Sequence, residues 1–133
     1  AQAPKGWEYT RLGPEGSVIW MKPGEPAREY IIGLDDIPDR DSAMKHQAER
    51  MVIERMGGKV YKDQDLVGGR YEFISASSFG GDRPIWQWRR VYGAAGVTIS
   101  ILAKVPVSDV AVEPSDVIQK EAKGFLDGIK IGP

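Results

Sequence analysis

From Val97 to Val105 the chain alternates, with Val97, Ile99, Ile101, Ala103 and Val105 on one side and Thr98, Ser100, Leu102 and Lys104 on the other. A period of two marks a strand with one buried face. From Ser115 the apolar spacing changes to Ile118, Ala122, Phe125, Leu126 and Ile129, which is one stripe of an α-helix. With the preceding segment from Arg70 to Tyr92, this predicts three antiparallel strands followed by one closing helix.

The earlier part of the chain reads in the same terms. Trp7 to Leu12 and Ser17 to Lys22 are predicted as a hairpin about the Gly13-Pro14-Glu15-Gly16 turn. Pro23-Gly24-Glu25-Pro26 breaks the ladder, and Glu29 to Leu34 resumes as a third strand. A helix follows, capped by Asp39 or Asp41, with Met44, Ala48, Met51, Val52 and Met56 as its expected core stripe and Gly57-Gly58 as its stop. Val60 to Val67 and Arg70 to Ser78 join around Gly68-Gly69, and Ile85 to Tyr92 pairs with Val97 to Val105 across Gly93-Ala94-Ala95-Gly96. Ser115 is placed to cap the last helix. The expected class is α+β, a mainly antiparallel sheet of six to seven strands flanked by two helices in the order β-β-β-α-β-β-β-β-α. Residues 1–6 are expected to be a flexible tail and 7–133 a single domain.

Composition removes several classes of function. Basic and acidic residues balance, 18 against 19, and no Lys/Arg run is long enough to track phosphates, which speaks against nucleic acid. No apolar run approaches the roughly 20 residues of a membrane span. The absence of cysteine rules out disulfides, thiolate nucleophiles and zinc-thiolate sites. The Ala-rich start AQAPKGW lacks an initiator Met, and it leads us to expect an exported, periplasmic protein from which a signal peptide has been removed.

A G-W-aromatic start, an L-V-G-G-R-Y-E-F strand, a W-x-W…G-x-T-x-S-I-L-A hairpin and a terminal F-L-D-G-I helix follow one another in this order. From Gly6 to Ile131 that pattern resembles the PsbP-like fold, which includes exported bacterial proteins of the DcrB kind. The resemblance implies a non-catalytic binding module or assembly factor. A cysteine-free, compact domain of this kind is also compatible with one subset of small exported bacterial proteins, immunity proteins of the type VI secretion kind, which occupy the active-site groove of a toxin in the periplasm. The families have no short catalytic signature, so no functional residue carries over.

His46, the sole histidine, falls off the Met44-Ala48-Met51 stripe and is expected on the exposed helix surface; a general base would need a partner beside it. Asp35, Asp36, Asp39 and Asp41 form an acidic segment, but neither Asp39-x-Asp41 nor Asp63-x-Asp65 continues as a calcium loop: from Asp63 the sixth position is Gly68, and the twelfth is Ile74 instead of Glu. We therefore expect no metal, no cofactor and no catalytic residue, and read Asp35, Asp36 and Asp39 as an acidic rim that attracts a basic partner surface. Trp86, Trp88 and Tyr92 share one side of a strand, with Ile85, Gln87, Arg89 and Val91 on the other. Core packing suits large aromatics; if the Ile85 side joins the core instead, an exposed Trp row beside Arg90 has the composition of an interface hot spot. Phe79, Asp82 and Arg83 lie on a Gly-rich loop that is expected to be mobile and to act as a plug.

The expected function is therefore a non-enzymatic exported module whose partner is a protein, most concretely a secreted toxin or effector. Its binding residues are Phe79, Asp82, Arg83, Trp86 and Trp88, with Asp35, Asp36 and Asp39 at the rim. The alternative is a small-molecule or lipid-binding envelope factor that uses a cavity between sheet and helix.

Overall fold

The computed structural model describes residues 8–12, 18–24, 27–38, 42–66, 70–78, 83–94 and 97–129. The strands are β1 (Glu8–Leu12), β2 (Val18–Lys22), β3 (Arg28–Pro38), β4 (Lys59–Leu66), β5 (Arg70–Ser77), β6 (Ile85–Ala94) and β7 (Val97–Pro106). The helices are α1 (Ser42–Arg55) and α2 (Asp116–Gly128). All seven strands form one antiparallel sheet in the order β1-β2-β3-β7-β6-β5-β4. The expected α+β class and element order hold, and β3 runs past the expected Leu34 to Pro38. The expected N-terminal tail and the caps Asp39 and Asp41 lie outside the described residues.

Two local hairpin systems, β1-β2-β3 and β4-β5-β6-β7, meet where β3 pairs with β7, from Glu29 opposite Lys104 to Asp35 opposite Thr98. Helix α1 carries the chain from β3 in mid-sheet to β4 at the far edge. The alternation of each strand then assigns side chains to two faces. Trp20, Tyr30, Ala76, Trp86, Trp88, Ile101, Ala103 and Val105 pack with Ala122, Phe125 and Leu126 of α2 in one buried cluster. Tyr71, Phe73 and Val91 point the other way and pack with Ile53 of α1. The sheet thus lies between two helices.

The α2 side is the principal core. Ala122 and Leu126 are wholly buried, and Phe125 sits edge-on to Trp20 at 5.7 Å and tilted against Tyr30 at 4.9 Å. The helix starts where Ser115 Oγ accepts from the Ile118 amide, as its sequence position predicts. Two ionic clusters flank the apolar contact. Glu121 of α2 accepts from Lys22 Nζ at 2.9 Å, Arg28 Nε at 2.9 Å and the Tyr30 hydroxyl at 2.6 Å. Arg90 bridges Glu72 of β5 and Asp127 of α2, each at 2.5 Å. Burial alone would raise the Glu121 carboxyl, but donation from Tyr30, Lys22 and Arg28 holds it below the usual carboxylate range. Tyr30 is pushed up by its own burial and by the adjacent Glu121.

Helix α1 corrects one expectation. Met44, Met51 and Met56 are 75%, 50% and 63% exposed, whereas His46 and Ile53 are the buried residues among those described in the helix. The stripe with the most apolar residues faces solvent. The underlying sheet explains the choice, because it offers α1 a mixed aromatic and carboxylate surface that a His can meet and a Met cannot.

Urea unfolding should place Leu126→Ala about 3 kcal/mol below the parent, the usual cost of a large-to-small change at a sealed position. Met51→Gln should stay within about 0.5 kcal/mol of it, as for an open surface position. Because the folded Glu121 pKa is depressed, its stabilisation is complete above the ordinary carboxylate range and is lost as pH falls through the depressed value. Urea midpoints measured downward from about pH 5 should fall, and Glu121→Gln should flatten that decline.

Candidate functional site

The face of the sheet opposite α2 is covered only in part. Helix α1 sits over β4, β5 and β6, where the His46 ring lies 4.0 Å from Tyr71 and edge-on to Phe73 at 5.0 Å. A bulge between Val60 and Lys62 shifts the register of β4. By changing the parity of the strand, the bulge turns Asp63 toward α1 and Lys62 toward the other face. Lys62 there meets Glu72 at 2.8 Å. Asp63 receives His46 Nε2 at 2.7 Å and Arg50 Nη1 at 2.5 Å. One turn along, Glu49 accepts from Arg89 of β6 at 2.5 Å. The helix therefore stands on charge pairs plus Ile53. Gly57 adopts φ 80°, and a Cβ on Gly58 would lie 2.8 Å from the Ala76 carbonyl, so this Gly-Gly stop lets the helix end lie close against β5.

Beside α1 no further described helix covers the sheet. One cleft of about 320 Å³ is lined by Glu49, Val52 and Ile53 of the helix with Ser77, Ile85, Gln87, Arg89 and Lys104. A second, about 220 Å³, is lined by Met21, Ala27, Glu29, Ile85, Lys104 and Pro106. They share Ile85 and Lys104 and so form one groove across β6, β7, β3 and β2. Its wall is Val52, 41% exposed, and behind Val52 the exposed Met44, Met51 and Met56 extend the apolar surface over the helix. Adaptable thioethers beside a shallow groove suit the docking of another chain.

The residues expected to bind a partner fare differently. Trp86 is wholly buried and Trp88 is 8% exposed, their rings edge-on at 6.2 Å within the α2 core. The core-packing reading of this pair holds and their expected role as partner-binding residues is corrected: α2 brings a stripe of large apolar area, and the indoles bury most of theirs against it. His46 is likewise buried, contrary to its expected exposure. Arg83 is exposed at a bend just before β6. Asp35 and Asp36 lie on the β3 backbone, with side chains outside the described residues, as are Phe79, Asp82 and Asp39 entirely. Sequence reasoning missed the groove residues Ile85, Gln87, Lys104 and Glu29. Their signal was present in the mixed second faces of β6 and β7, where Ile85, Val91 and Leu102 alternate with the Trp and Ile faces instead of giving way to polar residues alone.

Asp63 ties the helix wall to the sheet. Burial by itself would raise its carboxyl, yet the hydrogen bonds from His46 and Arg50 bring it below the usual value. Asp63→Asn should therefore speed hydrogen exchange of the α1 amides more than those of α2, and should weaken the loss of stability on acidification, since the Asp63 contribution exists only above its depressed pKa. Equal acceleration in both helices would show that Asp63 supports the whole fold instead.

No family model matches the chain, and no curated protein matches it. Among solved structures it is similar to LpqN, a protein involved in cell envelope biogenesis of Mycobacterium tuberculosis, at 12% identity with a TM-score of 0.48, over 95% of this chain and 78% of that one. Among the described residues, no helix is long and apolar enough to cross a membrane.

Proposed function

We propose that this chain is a non-enzymatic, exported protein-binding module whose docking surface is the groove between α1 and the uncovered half of the sheet. The observation that carries this reading is the inequality of the two faces. The α2 face is sealed by Leu126, Phe125, Trp86 and Ile101, while the α1 face keeps two joined clefts next to exposed Met and Val side chains. Apolar surface left in water beside a concavity is what a protein partner gains by covering. The alternative, a carrier of a small molecule or lipid, calls for a mainly apolar cavity, whereas Glu49, Arg89 and Lys104 enter the lining of this groove.

The finer form of the proposal is an immunity or inhibitor protein that neutralises a secreted effector by covering its active site in the periplasm. A cysteine-free scaffold with one open face supports it. Phe79, Asp82 and Arg83, just before Ile85 in sequence, and the acidic Asp35, Asp36 and Asp39 belong to the proposal as the rim of the surface.

Affinity capture from a periplasmic extract tests the surface. Val52→Asp places a charge at the exposed wall without touching the α2 core, and should cost at least about 2 kcal/mol, roughly thirtyfold in affinity, if Val52 is a desolvated anchor. Capture undiminished by Val52→Asp would place docking elsewhere. For the finer form, the captured protein directed to the periplasm should arrest growth, and co-expression of this chain should restore it; a harmless captured protein would rule out the immunity role.

A further inference from the structure

We propose that the groove receives a short, extended peptide segment of the partner that is apolar and acidic, with one of its carboxylates on Lys104. This rests on the reading of the groove as a docking surface and specifies what fills it. Lys104 lies at the junction of the two clefts and is half-buried. The other cation among the described lining residues, Arg89, is engaged by Glu49 at 2.5 Å. Among the described residues, no carboxylate forms an ion pair with Lys104. Its cross-strand neighbours are Glu29 on β3 and Gln87 on β6. A partly desolvated ammonium beside an amide donor is a receptor for a carboxylate, because a charge-assisted hydrogen bond regains what its lost hydration cost. A lysine, as a compact point charge, takes a single carboxylate from several directions and sets no bidentate geometry.

The surroundings fix the rest of the ligand. Val52 and Ile53 stand on one side of the Lys104 junction and Met21 and Pro106 on the other, with Ile85 in both clefts, so the carboxylate must be flanked by apolar side chains. From β6 to β2 the groove crosses three strand spacings, roughly 14 Å, which an extended segment covers with about four residues. Glu29, opposite Lys104, competes with the incoming carboxylate and sets a penalty on affinity. Because Lys104 stands at the junction of the two clefts, the segment's charge falls near the centre of the groove.

Selection from a phage-displayed library of random peptides tests the proposal, with Lys104→Glu, Lys104→Gln, Val52→Asp and Glu29→Gln chains in parallel and circular dichroism to confirm folding. The parent chain should enrich apolar sequences centred on Glu or Asp. The selected peptides should bind Lys104→Glu at least about tenfold more weakly, the scale of one hydrogen bond to a charged group, and Glu29→Gln more tightly. Lys104→Gln should show the same loss and serves if the Glu variant does not fold. An enriched sequence without an acid, or one whose binding survives both Lys104 changes, overturns the proposal. If that binding is still lost with Val52→Asp, the groove reading stands and only the carboxylate assignment falls; if it survives Val52→Asp too, the groove reading falls with it. A chain that enriches no peptide yet binds decanoate in a calorimetric titration assigns Lys104 to a free fatty carboxylate and also overturns the proposal.

Discussion

The packing of α2 on the sheet is the contact on which the remaining structure depends. Tyr30, Trp86, Ile101, Ala103, Val105, Ala122 and Leu126 are all sealed from solvent, and they come from β3, β6, β7 and α2. Burial on this scale, at roughly 25 cal/mol per Å² of apolar surface, is the main driving term available to a small domain. Glu121 and Asp127 add direction to a force that has none of its own, since their partners on β2, β3 and β6 fix where along the sheet the helix stands. Once that face is closed, the opposite face is left to do something else.

The difference between the two helices follows from this division. Helix α2 is held by apolar area, so its stripe is visible in sequence. Helix α1 is held by His46 and Arg50 on Asp63 and by Glu49 on Arg89, with Ile53 as the one buried aliphatic side chain among its described residues. A helix anchored in that way keeps its Met and Val residues free to form the outer wall of a groove. Its attachment is also the more sensitive to charge, because exposed and half-exposed ion pairs are weakened by salt and by protonation.

Fold and site were unequally legible in the sequence. The alternation of β7, the stripe of α2 and the Ser115 cap were readable because one periodic signal matches one buried face. The α1 stripe misled for a physical reason: Met44, Ala48, Met51, Val52 and Met56 are the apolar residues, but His46, Glu49, Arg50 and Ile53, equally well spaced at i, i+3, i+4 and i+7, have complementary partners on the sheet. Those partners are brought under the helix by long-range pairing and by the β4 bulge, neither of which a local pattern reveals. Trp86 and Trp88 were ambiguous for the related reason that both sides of β6 carry large side chains. Only the position of α2 decides between them. The groove was invisible because it arises where an uncovered half-face adjoins a covered one.

The pairing of β3 with β7 sets an order of events during synthesis. Tyr30 lies opposite Ala103, so the central seam of the sheet joins segments far apart in the chain. The hairpins on either side are local and close quickly, whereas the seam is the longest-range strand pairing among the described residues and closes late. Until β7 has emerged, the N-terminal meander has an unpaired edge on β3 and an uncovered Trp20 and Tyr30. A chain delivered in unfolded form, from ribosome or translocation channel, therefore carries its greatest aggregation hazard in its first third and loses it in one step when the last strand and helix arrive.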